Sequence, residues 1–283
     1  MPAAFIGHGS PMNALEINHY TQAWRAFGQS VARPRAILAV SAHWYINATA
    51  VTAMKRPRTI HDFYGFPDAL FAVDYPAPGA PEIAEEIAEV VKPTWVGLDY
   101  DSWGIDHGTW SVLCHAFPDA DIPVLQMSIN AMKPLEYHLK LGATLAPLRE
   151  RGILIIGSGN VVHNLRGINI GLPDSGFDWA QRFDEDARAL MTSTPERVGA
   201  LQSHPDFRSA VPTPDHFLPL LYLAGLAGAA GRPTETLVDG YVYGSLSMTS
   251  YTIDGGRPEV SAMVDEPAAI PDPDVVPADE TNI

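Results

Sequence analysis

The chain contains a single cysteine, Cys114. That excludes an intrachain disulfide framework and any zinc cluster built on thiolates. No apolar run approaches the ~20 residues that span a bilayer. No basic stretch followed by a long apolar one opens the chain, so no signal peptide is expected and a cytoplasmic location is. Positive charge is scarce: 18 Lys and Arg stand against 33 Asp and Glu, for a formal net charge of −15. Nucleic acid needs clustered cations, so it is not an expected partner. The acidity argues for solubility instead. Several catalytic signatures are also missing. There is no Gly-x-Ser-x-Gly elbow, no His-Glu-x-x-His pair, no Gly-x-Gly-x-x-Gly and no Walker loop. Nucleotide cofactors are therefore not expected.

What is present suits a globular enzyme. Hydrophobic residues make up 46% of the 283 positions and charged residues 18%, enough for a large core. Short apolar runs at 3–6, 36–41, 94–98, 122–128 and 152–156 read as buried strands. Between them lie helical periods, such as Ile83, Ile87, Val90 and Val91 behind Pro81, and Trp179, Phe183, Ala187 and Leu190 in 178–192. Strand and helix alternate without an internal repeat. This predicts one α/β domain over 1–262, with a central mixed or largely parallel sheet flanked by helices. Residues 57–81, rich in Pro, Gly and aromatics, read as a long loop of functional weight. Residues 263–283 are acidic and Pro-rich with no helical period. They read as a C-terminal tail, mobile or lying along the surface.

Histidine carries the chemistry. Of the ten, several fall where buried strands end. His8 sits between Gly7 and Gly9, whose freedom lets the backbone bend and expose the ring. His43 closes the run Ala36–Ala42, and His163 follows Ile153–Asn160. One ligand site assembled at the carboxyl ends of neighbouring strands is the reading that unites them. Each also has a plainer reading, as a turn or structural histidine. The Gly157–Asn160 stretch has the look of a phosphate cradle but lacks the lysine of one. His216 stands at an expected helix start, with Asp215 as the cap. His107, between Asp106 and Gly108, suits acid–base work or substrate binding, and Asp106 need not be its partner in space. His61 and Asp62 either belong to a lid or stabilise their loop. His19, His115, His138 and His204 read as surface or helix residues. Cys114 reads as a small core residue.

Six stretches in order then carry a resemblance: Phe5–Met12 (FIGHGSPM), Ser41–Trp44 (SAHW), His61–Pro67 (HDFYGFP), Asp106–Gly108 (DHG), Gly157–Asn164 (GSGNVVHN) and Asp215–Leu220 (DHFLPL). Together they resemble the 4,5-DOPA extradiol dioxygenase family, a branch of the class III, LigB-like ring-cleavage enzymes, over about residues 3–252. The resemblance implies the LigB-like fold and cleavage of a DOPA-like catechol by O2 at a non-haem metal. It implies a metal held by His8, His43 and His216, with His163 beside it as a further candidate ligand. That set departs from the 2-His-1-carboxylate triad of many non-haem iron enzymes. Fe(II) is the implied catalytic metal. Zn(II), which suits an all-histidine site but has no redox chemistry, is the expected occupant of isolated protein. His163 is implied as acid/base and His107 as a hydrogen-bond donor to substrate or O2. Tyr64 and Phe66 are expected to cover the aromatic ring. Arg56, Arg58 and Arg166 are the cations near these motifs that an amino-acid side chain could use. The remaining alternatives are a zinc-dependent hydrolase and a non-catalytic binding protein on the same scaffold.

Overall fold

Four parallel strands carry the molecule, and each is long enough and apolar enough to be buried on both faces. The computed structural model describes residues 1–256 and 267–283. Its main sheet has eight strands. In spatial order they are Gly97–Asp99, Ala50–Thr52, Val124–Asn130, Ala36–Ile46, Ile153–Gly159, Ala3–Gly7, Ser250–Ile253 and Glu235–Val238. Val124–Asn130, Ala36–Ile46, Ile153–Gly159 and Ala3–Gly7 run parallel, with Ala4 opposite Ile156 and Leu38 opposite Ile155. Ser250–Ile253 joins Ala3–Gly7 antiparallel, so the sheet is mixed, as the alternation of elements predicts.

Side chains alternate across this sheet with the strand period of two. Leu38, Ile153 and Ile155 face one core, shared with the helix Leu218–Ala230. Ile37, Leu154 and Ile156 face the other, against Trp24, Phe27 and Trp110. Leu218–Ala230 has no polar stripe because helices and sheet enclose it, and every residue from Leu218 to Ala227 is buried. It lies against Leu135–Thr144 at close range. A Cβ at Gly142 would collide with the main chain of Tyr222, so this crossing needs glycine. Truncating a fully buried Leu221 here would cost about 2–5 kcal/mol. Among the described residues no helix is long and apolar enough to cross a membrane.

Several expectations need correction. The strand begun at Ala36 does not stop before His43 but continues to Ile46, with its pairing to Val124–Asn130 shifting between Val40 and Tyr45. Gly157, Ser158 and Gly159 belong to a strand rather than a loop, with the two glycines leaving room for Pro219 and His216, which a Cβ would strike. The 57–81 loop contains a short helix, Asp68–Phe71. The expected helix from Pro134 to Leu148 is two, Leu135–Thr144 and Ala146–Glu150. Asp215 caps nothing, because the helix after it starts at Leu218 and its carboxylate takes the ring of His216. His115 and His138 are on helices as read, but buried rather than at the surface. The expected division at 262/263 lies outside the described residues. Residues 267–283 lie against the domain, and their last residues enter the cavity described next.

Candidate active site

The carboxyl ends of the parallel strands deliver the histidines. His8 follows Ala3–Gly7 directly, and its amide donates to the Gly159 carbonyl of the next strand at 3.2 Å. His43 occupies the irregular part of Ala36–Ile46. His107 is the first residue of the helix His107–Ala116, which Asp106 caps through the Thr109 amide. Gly108 explains the spelling of that motif: a Cβ there would stand 2.7 Å from His43 Cδ2 and 3.2 Å from His8 Cε1. Only glycine lets the helix start against both rings. His216 enters between strand and helix, its carbonyl accepting the Asn160 amide at 3.0 Å.

His8, His43 and His107 can offer one ligand atom each, all within 4.8 Å of one another. His216 completes the group. Its ring centroid lies 5.3 Å from that of His8 and 5.0 Å from that of His43. His8 and His43 are themselves 5.1 Å apart, so these three rings form a nearly equilateral triangle. His107 is nearer His43, at 3.9 Å, and farther from His8, at 5.9 Å.

Outer partners fix how each ring is turned. Ser158 Oγ gives its proton to the Gly108 carbonyl, so it accepts from His8 Nδ1, at 2.9 Å. Asp62 serves two rings at once, with Oδ1 2.9 Å from His107 Nδ1 and Oδ2 3.3 Å from His43 Nδ1. Asp215 accepts from His216 Nδ1. His8, His107 and His216 therefore carry the proton on Nδ1 and present a bare Nε2, and the ion-pair contact of His43 Nδ1 with Asp62 favours the same for that ring. The Nε2 atoms of His107 and His216 are buried without a hydrogen-bond partner, and those of His8 and His43 face each other at 3.2 Å. Two acceptor nitrogens at that distance, with two more aimed nearby, call for a cation between them. The donor set thus fits a metal.

Electrostatics agree. Burial, then the neighbouring histidines, lower the pKa of His8 well below 6.5. Burial, then His107, do the same for His43. Both rings are neutral, as ligands must be. Burial works to raise the Asp62 carboxyl, but His107 and His43 outweigh it and hold the group well below the usual carboxylate range. Asp215 is held low in the same way, by His216 against burial. Asp106 goes the other way. Burial, then the charge of Asp62, raise it to about 6, although Gln126 and Ser41 donate to it.

His163 is turned differently. It stacks flat on His216, centroids 3.5 Å apart, and its Nε2 lies 2.6 Å from the main-chain oxygen of Ile283. A carbonyl only accepts, so here the proton is on Nε2. Burial, then His216, push this imidazole down to about 3. A cavity of about 510 Å³ opens beside it, bordered by His43, Tyr45, His163, Arg166, His216 and Asp279, among others. That volume is within the range of small-molecule sites.

Tyr64 and Phe66 do not border this cavity. Tyr64 points to solvent at 65% exposure, while Phe66 is buried against Phe63. Of the three arginines near the motifs, only Arg166 lines it, and Arg56 and Arg58 flank a separate groove. His61 stabilises its loop through the Val73 carbonyl. Sequence reasoning missed Asp62 and Asp215 as orienting carboxylates, though each sits beside or within a quoted motif. It also missed Ser158, Asp279, Asn282 and Ile283, for which the sequence holds no local signal.

A histidine cluster that could hold a metal thus sits at the carboxyl ends of a mostly parallel sheet, beside a cavity of small-molecule size, a setting that suits an enzyme acting on a small ring compound. Residues 3–253 match the family described as the catalytic LigB subunit of aromatic ring-opening dioxygenase, and the chain belongs to that family. Relatives narrow the branch. The chain is 47% identical over 261 residues to the 4,5-DOPA dioxygenase extradiol of Escherichia coli K12, covering 89% of this chain and 94% of that one. It is 36% identical over 255 residues to the protein of the same name from Beta vulgaris, covering 87% and 94%. The crystal structure of an uncharacterized Escherichia coli K12 protein superposes with a TM-score of 0.79 at 42% identity, covering 89% of this chain and 99% of that one. The chain is an extradiol ring-cleavage enzyme that depends on a metal and takes a small-molecule substrate with O2.

Proposed function

We propose that the chain opens the ring of a DOPA-like catechol, using Fe(II) held by His8, His43 and His216. The even triangle of these three rings, each with its Nδ1 already engaged, is the observation that carries this ligand set. His107 is the alternative third ligand, since its ligand atom groups with those of His8 and His43. Metal affinities of His107→Ala and His216→Ala decide between them.

Bound iron would supply an electron path from the catechol to O2, which zinc cannot. The chain's own residues do the rest. Ser158, Asp62 and Asp215 hold the ligand rings in one tautomer and one orientation, so the site is organised before substrate arrives. His163 is neutral near pH 7, and once Ile283 leaves and the ring proton moves to Nδ1 it takes the catechol proton at Nε2, the atom that Ile283 engages here. His107 keeps its partnerless Nε2 in the group with His8 and His43, where it would accept from a catechol hydroxyl. His8 and His107 are fully buried, which keeps water from two of the rings.

The test is oxygen uptake by metal-free protein reconstituted anaerobically with Fe(II) and then given L-DOPA. Uptake matched by a coloured ring-opened product, absent with zinc and absent in His43→Ala, is the expected outcome. No uptake with any catechol at verified iron occupancy sinks the reading. A His163→Ala variant that binds iron normally and turns over at the parent rate removes the acid/base role.

A further inference from the structure

The last six described residues do more than lie on the surface. Ile283 is 2% exposed and packs into the core that contains Phe63 and Leu246, while its main-chain oxygen holds His163 Nε2. Asn282 donates its side-chain amide to the carbonyl of Asp62, the residue that orients two of the metal-facing rings. The Tyr64 amide donates to Thr281 O at 3.0 Å. On the cavity wall Asp279 pairs with Arg166 at 2.9 Å. The segment thus runs along that wall, held at one end by Arg166 and at the other by the 61–67 stretch. Asp279, Asn282 and Ile283 form part of its wall, yet all lie beyond residues 3–253 that the family match covers.

We propose that residues 278–283 are a specificity strap, which selects catechols carrying both an ammonium and a carboxylate on the ring substituent. This rests on the catechol reading above. A catechol that shares its proton with His163 Nε2 must first displace Ile283, so every substrate meets the same cost of opening. At the rim, Arg166 and Asp279 present one guanidinium and one carboxylate side by side, the arginine side chain 84% exposed and the aspartate 40%. An amino-acid substituent matches both, its carboxylate to Arg166 and its ammonium to Asp279, and those contacts offset the opening. A bare catechol makes neither and is left with the cost. Binding energy from the part of the substrate that does not react thus decides which rings reach the metal.

The experiment compares kcat/KM for L-DOPA, dopamine, 3-(3,4-dihydroxyphenyl)propionate and catechol. It uses the full chain, a variant lacking 278–283, and Asp279→Asn, all iron-loaded, with anaerobic calorimetric binding of L-DOPA and catechol beside it. Deletion should lower the preference for L-DOPA over catechol about tenfold, mainly through a fall in the KM for catechol. Asp279→Asn should lower the preference for L-DOPA over the propionate severalfold, through the ammonium alone. If the deletion variant does not hold metal, Asp279→Asn decides. Preferences within twofold of the full chain overturn the strap while leaving the dioxygenase intact. Loss of turnover on all four compounds with metal content preserved also overturns it, because the segment would then serve the chemistry itself. A full chain that neither binds nor cleaves any catechol overturns the functional reading, and the strap with it.

Discussion

Two clusters of buried polar groups sit in this molecule, and they are finished to different degrees. Asp184 is fully buried in the helix Asp178–Met191. Its Oδ1 accepts from Ser247 at 2.6 Å, and its Oδ2 from Thr249 at 2.9 Å, Tyr241 at 3.1 Å and Arg188 at 3.3 Å. Both carboxylate oxygens are used, only Arg188 Nε is left without a partner, and the cluster ties helix to strands. The histidine cluster engages its Nδ1 atoms too, those of His8, His107 and His216 by hydrogen bonds and that of His43 by an ion-pair contact, and leaves the Nε2 atoms of His107 and His216 without a partner. A buried polar atom without a partner costs free energy. Where one ring nitrogen is anchored and the other is left bare, as in His107 and His216, the bare atoms mark what the site is for.

The largest effect should come from His43→Ala, which removes a bare Nε2. Iron affinity should fall beyond the ~100-fold that loss of a supporting outer group costs, read by anaerobic titration. Parent affinity would mean that the two clusters do not differ in this way. Asp184→Ala tests the other side. It should destabilise the chain by about 3–5 kcal/mol in urea unfolding, since a buried pair with Arg188 is broken, without moving iron affinity in the folded fraction.

A buried histidine outside the site sharpens the contrast. Burial pushes His138 down to about 4. The unfolded chain binds this proton near pH 6.5 and the folded chain does not, so stability is complete above 6.5 and lost as pH falls toward 4. The loss is about 3 kcal/mol. His138→Gln should flatten that part of the stability–pH curve relative to the parent, and an unchanged difference between pH 7 and pH 4 would contradict it. The smallest effect should be Asp62→Asn, which keeps the shape but weakens the hold on His43 and His107. Iron affinity should fall about 10–100-fold with unfolding midpoint little changed. A midpoint that falls while affinity stays would move Asp62 to the structural side.

The architecture was legible because the strands are apolar, short and separated by helical periods. Even the mixed sheet follows from that alternation. The junctions that hold His8, after the strand Ala3–Gly7, and His216, before the helix Leu218–Ala230, were legible as well. What stayed hidden depends on distance along the chain. Asp62 finds His107 across 45 residues, and Ser158 finds His8 across 150. No local pattern encodes either pairing. Strand ends misled too. His43 was read as a terminus because the apolar run stops, whereas the strand goes on through a shift in register. Tyr64 and Phe66 were aromatic and near a motif, but one turned to water and the other to the core. Residues 278–283 have no period and many charges, so nothing in their composition announces that Ile283 is buried.

The strand Ala3–Gly7 is paired on one side with Ile153–Gly159 and on the other with Ser250–Ile253. The first residues made therefore wait for nearly the last before the sheet around them closes. Contacts of such long sequence separation form slowly. During synthesis His8 and His43 emerge early, and His216 only after most of the chain. A nascent polypeptide can show a metal no more than fragments of the final set. Assembly of the full histidine group is thus an event of the folded chain.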